Sequence, residues 1–440
     1  MRRTDIISPR HQSSAKCSYK NPPALYMNYN CTEEALDDLQ KDDSIKRALL
    51  ITDGAMVAMG FATRVTKALV ARGIEVTLFD SVTPDPDMNV VRAGVRACQS
   101  CKPDVIVALG GGSPLDAAKF IRVQYESPDE KVEDLSARFV ELRKRTHVFP
   151  AGGARVKKVV CIPTTSGTGS EVTPFAVITD DAGHKLPIFS YRLTPDIAIV
   201  DASYTGALPK KLIAHSGLDA MTHALESYVA CSANDFTMSH SLTAAKLVYD
   251  NLLDSYKNGS RESRERMHHA STIAGLAFAN AYLGIVHSLS HKVAARFHLP
   301  HGLTNAIIMP HVMIYNFDPK PTREAYNPNY THPQSHIRYA AIADHLGLVV
   351  TTPPGASTLD VQRAKLNALV KAFVDLTKAV ETPTSFAAAG IDRAAYMAAL
   401  EQIAVDSFDD QCTDSNPRFP LVPELKEILI HAYDGTLADA

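Results

Sequence analysis

Val105-Ile106-Val107-Ala108-Leu109-Gly110-Gly111-Gly112-Ser113-Pro114-Leu115-Asp116 decides the fold of this chain. Val105–Leu109 is an unbroken apolar run, the form a strand takes when both of its faces are buried. Three glycines follow, and then a helix start. The pattern puts Ser113 at the N-cap, Pro114 at N1 and Asp116 at N3, the acid position of a capping box. A helix N-terminus offers free N–H groups and a partial positive charge, so phosphate settles there. Glycines, lacking Cβ atoms, let a pyrophosphate reach the backbone. The spacing is not G-x-G-x-x-G, and a plain tight turn is the competing reading.

Outward from this junction, strand and helix alternate. Arg47–Thr52 reads as a buried strand ending at Asp53, and Ala55–Ala71 as a helix stopped by Gly73. Ile74–Phe79 is the next strand and Asn89–Cys101 the next helix. Apolar strands alternating with helices predict a parallel, doubly wound, Rossmann-like sheet. Val159–Ile162 is a further strand, and it runs into Pro163-Thr164-Thr165-Ser166-Gly167-Thr168-Gly169-Ser170-Glu171-Val172-Thr173. That hydroxyl-rich loop is a second candidate nucleotide cradle; a solvated polar loop is the alternative.

After Asp201 the apolar period changes to that of helices, through Lys211–Ala230, Met238–Ser255, Arg264–Val286 and Leu359–Val380. The expected organisation is α/β plus all-α: a dinucleotide-type domain at 22–204 and an all-helical domain at 205–440. Residues 1–21 read as a disordered leader. It holds Arg2, Arg3, Arg10 and Lys16 without an apolar segment, so it is not a secretory signal; an organelle presequence is the lesser reading.

The helical half carries the chemistry. Asp219 and His223 are four apart, so they stack on one helix face. His287 and His291 follow the apolar run Thr272–Val286, which reads as a buried helix where an unpaired imidazole is costly. His301, in Pro300-His301-Gly302, reads as the tip of a rigid loop. One carboxylate and three imidazoles, Asp219, His223, His287 and His301, suit Fe(II) or Zn(II). Taken singly, each of these residues has a bland reading as surface or core.

Composition narrows the classes. The chain has 440 residues and a net charge of −3, with no basic stripe, which argues against nucleic acid. Seven cysteines in a chain this long do not suggest a secreted disulfide framework. Cys98 and Cys101 form a lone Cys-x-x-Cys at a helix end, with no second pair to complete a zinc site. Thr272–Val286 is too short to span a bilayer, and a cytoplasmic protein is expected.

In this order, the loops at Gly110–Asp116 and Thr164–Thr173 with Gly217–Tyr228 and His287–Gly302 resemble the iron-containing (group III) alcohol dehydrogenases. The likeness is greatest to the alcohol dehydrogenase half of bifunctional aldehyde–alcohol dehydrogenases, through Glu133–Pro150, Tyr339–Leu346 and Phe408–Pro423. The CoA-acylating half has no counterpart in this sequence. The resemblance implies NAD(H) and one divalent metal, Fe(II) rather than Zn(II), with Asp219, His223, His287 and His301 as its ligands. It places His291 between metal and nicotinamide and Phe278 in the alcohol pocket. Asp53 falls on the adenosine ribose. Asp85, Gly110, Gly111, Gly112, Ser113 and Asp116 fall along the cofactor, as do Thr164, Thr165, Thr173 and Lys185. The implied reaction is reversible hydride transfer to a short aldehyde, acetaldehyde to ethanol foremost, in a homodimer or larger homo-oligomer. A filament-forming subunit with little activity and a polyol dehydrogenase are the competing readings.

Overall fold

The computed structural model describes residues 24–129, 155–181, 183, 185–319 and 334–437. The expected leader and the family-like stretch Glu133–Pro150 lie outside the described residues. Six strands form one sheet: β1 (Ala24–Met27), β2 (Arg47–Ile51), β3 (Glu75–Phe79), β4 (Val105–Gly110), β5 (Lys158–Pro163) and β8 (Ile197–Val200). A separate antiparallel hairpin is made by β6 (Phe175–Thr179) and β7 (Lys185–Phe189). The sheet order is β1-β8-β5-β4-β2-β3, with every neighbouring pair parallel.

β4 is buried at every residue, as its apolar run requires. The strands alternate between two cores. Leu49, Ile51, Ile106, Ala108, Val159 and Cys161 pack with α4 (Met88–Cys101) and α5 (Gly112–Glu126). Leu50, Val105, Val107, Leu109, Val160 and Ile162 face the other way, onto α1 (Thr32–Gln40) and α3 (Phe61–Val70). The strand order reverses between β2 and β4. In such sheets ligands bind in the crevice beyond the carboxyl ends of the strands at that reversal.

The single helix expected at Ala55–Ala71 is two: α2 (Gly54–Ala58) and α3, separated by Gly60 at φ 77°. A left-handed residue breaks the hydrogen-bond ladder and a glycine takes that conformation at no steric cost. The short strands β1 and β8 and the hairpin were not expected from the sequence. Four residues are too few to show a period, and β1 is held by its parallel neighbour β8.

The second half is helical: α6 (Lys210–Val229), α7 (Asp235–Lys257), α8 (Arg261–Ala281), α9 (Ile285–Phe297), α10 (His301–Asn316), α11 (Ser335–Leu346), α12 (Thr358–Ala379), α13 (Arg393–Phe408) and α14 (Val422–Asp434). They share one apolar core. The helix expected through Arg264–Val286 is also two. α8 ends at Ala281, Tyr282 takes φ 65°, and α9 leaves at 109° to α8. Gly284 then passes so close to its neighbours that an added Cβ would lie 2.7 Å from Asn416 Oδ1 and 2.9 Å from Glu226 Oε1. This bend turns His287 and His291 back toward α6. The two halves touch where Gly169 meets Gly275 of α8: a Cβ on Gly169 would sit 2.7 Å from the Gly275 Cα. Among the described residues no single helix is long and apolar enough to cross a membrane.

Candidate active site

Three helices each bring two polar side chains spaced by four residues to one place. α6 brings Asp219 and His223, α9 brings His287 and His291, and α10 brings His301 and Asn305. His301 is therefore not at a loop tip. Pro300 is the N-cap and His301 the first helical residue; proline, which has no N–H to leave unpaired, is tolerated at a helix start. α10 lies directly on α6: a Cβ on Gly302 would fall 2.0 Å from the His215 carbonyl oxygen.

The ligating atoms of Asp219, His223 and His287 lie within 4.8 Å of one another, all in buried residues. Asp219 Oδ1 is 3.9 Å from His223 Nε2 and 3.7 Å from His301 Nε2. The His223 and His287 rings stack at 4.8 Å between centroids, and the His287 and His301 rings are 5.1 Å apart. His301 is the member nearest solvent, with 38% of its side chain exposed. Burial holds His223 and His287 below the ordinary imidazole range, and the neighbouring rings of His223, His301 and His291 depress His287 further. Neutral imidazoles are the form that binds a metal.

Each ring is anchored through Nδ1. His223 Nδ1 pairs with the Gly167 carbonyl at 3.2 Å, His301 Nδ1 with Ser290 Oγ at 3.2 Å, and His287 Nδ1 with the Glu226 carboxylate. His291 Nδ1 pairs with Asp410 Oδ2 at 3.2 Å. The Nε2 atoms of the first three are left for the space they share, the arrangement that orients metal-binding histidines in general. Burial pushes Glu226 up to about 8, against the pull of backbone donors such as Val286 N at 2.8 Å. Asp410 is buried, which acts to raise it. His291 and the Lys292 ammonium, 2.9 Å away, instead hold it well below the usual carboxylate range.

This cluster forms one wall of a cavity of about 300 Å³. Phe278 lines it and stacks on His223 at 4.4 Å. Phe278 also joins Phe189, Leu283 and Cys412 in a small apolar cluster. The opposite wall comes from the sheet domain: Gly112, Ser113, Asp116, Thr168, Thr173 and the hairpin residue Lys185. Asp85 lines the same end and pairs with Lys185 at 2.7 Å.

The glycine loop is built differently from the sequence expectation. Gly111, extended at φ −73° and ψ −164°, is the N-cap, so α5 begins at Gly112; Ser113 and Pro114 lie inside the first turn. Gly110 has φ 149°, and a Cβ there would meet the Pro114 ring at 2.6 Å. Added Cβ atoms on Gly111 and Gly112 would come 3.3 Å from Thr165 and 3.0 Å from Thr168. The two loops thus press together, and that contact, not a serine cap, sets the helix start. Asp116 does not close a capping box either. Its Oδ1 accepts from Ser170 Oγ at 2.6 Å and its Oδ2 from Val177 N at 3.0 Å.

Asp53 caps α2, accepting from Met56 N at 3.0 Å, and its Oδ2 is 3.4 Å from where a Gly110 Cβ would be. It therefore sits at the strand-order reversal. Thr164 donates its N–H to the Gly110 carbonyl at 2.9 Å, and its hydroxyl is buried. Asp85, Gly112, Ser113, Asp116, Thr173 and Lys185 line the cavity, whereas Asp53, Gly110, Gly111, Thr164 and Thr165 are not among its lining residues.

The sequence profile of iron-containing alcohol dehydrogenases matches residues 22–202, and that of the C-terminal part of the Fe-containing alcohol dehydrogenase family matches residues 213–433. The chain belongs to the iron-containing alcohol dehydrogenase family. It is 46% identical over 420 residues to the bifunctional aldehyde-alcohol dehydrogenase of Escherichia coli (strain K12), covering 95% of this chain and 46% of that protein. The chain thus spans about half the length of such relatives. The NADPH-dependent butanol dehydrogenase of Clostridium saccharobutylicum is 36% identical over 92% of this chain and 96% of its own length. The solved 1,3-propanediol oxidoreductase superposes with a TM-score of 0.81 at 29% identity, covering 94% of this chain and 99% of that one. Membership of this family implies a metal and a nicotinamide dinucleotide as cofactors.

Four polar residues of this family member escaped the sequence reading. Lys119 is fully buried and donates to Ser170 Oγ at 2.7 Å, the Phe175 carbonyl at 2.8 Å and the Thr173 carbonyl at 3.1 Å. A lysine on a helix ordinarily signals a solvated face. Glu226 and Asn305 carried a usable signal: each lies on a helix face one turn beyond a flagged residue. Asp410 had none, because it reaches His291 from a distant segment.

Proposed function

We propose that Asp219, His223, His287 and His301 hold one divalent metal at which this enzyme interconverts a short primary alcohol and its aldehyde with NAD(H), acetaldehyde and ethanol being the foremost pair. One observation carries the reading: four donors from three helices converge with their imidazole Nδ1 atoms engaged elsewhere, beside an apolar pocket and opposite a glycine-rich helix start. A hard carboxylate with neutral imidazoles fits Fe(II) or Zn(II), and the family favours iron. A metal there acts as a Lewis acid that lowers an alcohol's pKa and polarises an aldehyde, and the nicotinamide exchanges hydride.

The chain's own residues bind, orient and exclude water. Gly112 at the N-terminus of α5, with the Thr164–Thr173 loop, receives the pyrophosphate. Asp53 accepts from the adenosine ribose and repels a 2′-phosphate, so NAD(H) is preferred. Asp85 and Lys185 meet the nicotinamide ribose. Phe278, Leu283 and Cys412 enclose the alkyl group. His291, held by Asp410, sets the nicotinamide or passes the alcohol's proton. The dinucleotide domain is read as 22–204 and the catalytic helical domain as 205–440, in a cytoplasmic homo-oligomer.

The test is elemental analysis with NADH consumption on acetaldehyde. One bound metal and turnover are expected; a metal-free protein inert on every short aldehyde would leave the filament reading in its place. Inactivation by air or peroxide is expected of iron, and zinc with stable aerobic activity would overturn that choice.

A further inference from the structure

Asn305 lies one turn beyond His301 on α10 and is fully buried. Its Nδ2 is 2.7 Å from Asp219 Oδ1, 3.1 Å from His301 Nε2 and 3.3 Å from His287 Nε2. These three acceptors belong to three of the four proposed ligands and come from three different helices. A carboxamide nitrogen carries two hydrogens, so it is shared among more acceptors than it can fully serve. Meanwhile the Asn305 Oδ1 is buried with no hydrogen-bond partner. An amide whose task was only to pack would turn to satisfy both of its ends, since a buried carbonyl without a donor is costly. Here the donor end is spent wholly on the ligand cluster.

The reason lies in the cluster itself. Asp219 Oδ1, His287 Nε2 and His301 Nε2 point lone pairs into one small space, and nothing in an apolar helical core draws them together. A donor set among the three acceptors converts their mutual repulsion into attraction.

We propose that Asn305 is a positioning residue for the metal. It gathers the Asp219 oxygen and the His287 and His301 nitrogens around one point before a cation arrives. Once the imidazole lone pairs turn to the cation, Asn305 keeps its bond to Asp219 and fixes which way that carboxylate faces. The inference rests on reading Asp219, His223, His287 and His301 as the ligands. It adds a residue that binds no metal but sets how tightly and in what geometry metal is bound.

The experiment titrates Co²⁺ into the metal-stripped full chain and reads visible absorption, which reports affinity and coordination geometry together. Asn305→Leu keeps the volume and removes the donor. It is expected to bind one Co²⁺ with roughly 10- to 100-fold weaker affinity, as the loss of a group that orients ligands typically costs. Its saturated spectrum is expected to shift, because Asp219 is no longer held. If the leucine variant does not fold, Asn305→Ala is read in the same way. Unchanged affinity and an unchanged spectrum, even with a lowered Tm, would make Asn305 a packing residue and overturn the proposal. Asp219→Ala is the control. If it binds Co²⁺ as the unaltered chain does, the ligand reading fails; if it loses Co²⁺ while Asn305→Leu does not, only the positioning role fails.

Discussion

The two walls of the cleft are made on opposite plans. The helical wall is built from side chains: pairs spaced by four on α6, α9 and α10 aim carboxylate, imidazole and amide at one point. The sheet wall is built from backbone: a helix start at Gly112, a Gly110 in a conformation that favours glycine and a threonine loop pressed against them. On the helical wall chemistry depends on which atoms a residue carries. On the sheet wall it depends on where the chain can pass, and side chains such as Lys119 and Asp116 serve to hold the loops in place. Substitutions on the first wall should therefore remove ligand binding with little loss of fold, and those on the second should cost fold or cofactor binding first.

The largest expected effect is on the helical wall. Asp219→Ala or His287→Ala should empty the site by elemental analysis and abolish NADH consumption while leaving the urea midpoint of the metal-free chain nearly unmoved. Next comes Lys119→Met, on the sheet wall. Removing a fully buried ammonium that pairs with the partly exposed Asp116 and anchors the Ser170–Phe175 segment should cost about 3 kcal/mol in urea unfolding. Equal metal content in that variant would keep the two walls separate, and lost metal would join them. Glu226, raised to about 8, is mostly protonated near neutral pH in the metal-free chain; Glu226→Gln keeps a partner for His287 but cannot ionise beside a bound cation, and should weaken metal binding by about tenfold in a chelator competition. Asp53→Gly should narrow the preference for NADH over NADPH, read as a ratio of kcat/KM values. Its cost to α2 should be only a few tenths of a kcal/mol, because glycine is a tolerable N-cap. The smallest effect is Ser113→Ala. Were Ser113 the N-cap, losing it would cost about 1 kcal/mol. As a first-turn residue it should cost less than about 0.5 kcal/mol.

What the sequence disclosed follows the same division. The helical periods and spacings of four made Asp219, His223, His287 and His291 readable, because a helix converts sequence distance into a direction. His301 was picked out for its residue type and misplaced in structure, so its partner Asn305 one turn on went unseen. The apolar run of β4 announced a central strand, but the loop after it was read through side-chain capping rules. The close approach of Gly111 and Gly112 to Thr165 and Thr168 joins residues some fifty positions apart, and no local pattern records that. The breaks at Gly60 and Tyr282 were hidden by otherwise continuous helical periods.

The bond from His223 Nδ1 to the Gly167 carbonyl crosses between the walls. One end belongs to the loop after β5, proposed to receive the nucleotide; the other belongs to an imidazole whose Nε2 faces the proposed metal site. On that proposal, a nucleotide that shifted the loop would shift the ring, and a cation that fixed the ring would steady the loop. Equilibrium linkage makes that influence reciprocal: the factor by which nucleotide changes the metal's dissociation constant equals the factor by which metal changes the nucleotide's. A dissociation constant measured for either one then has meaning only at a stated concentration of the other.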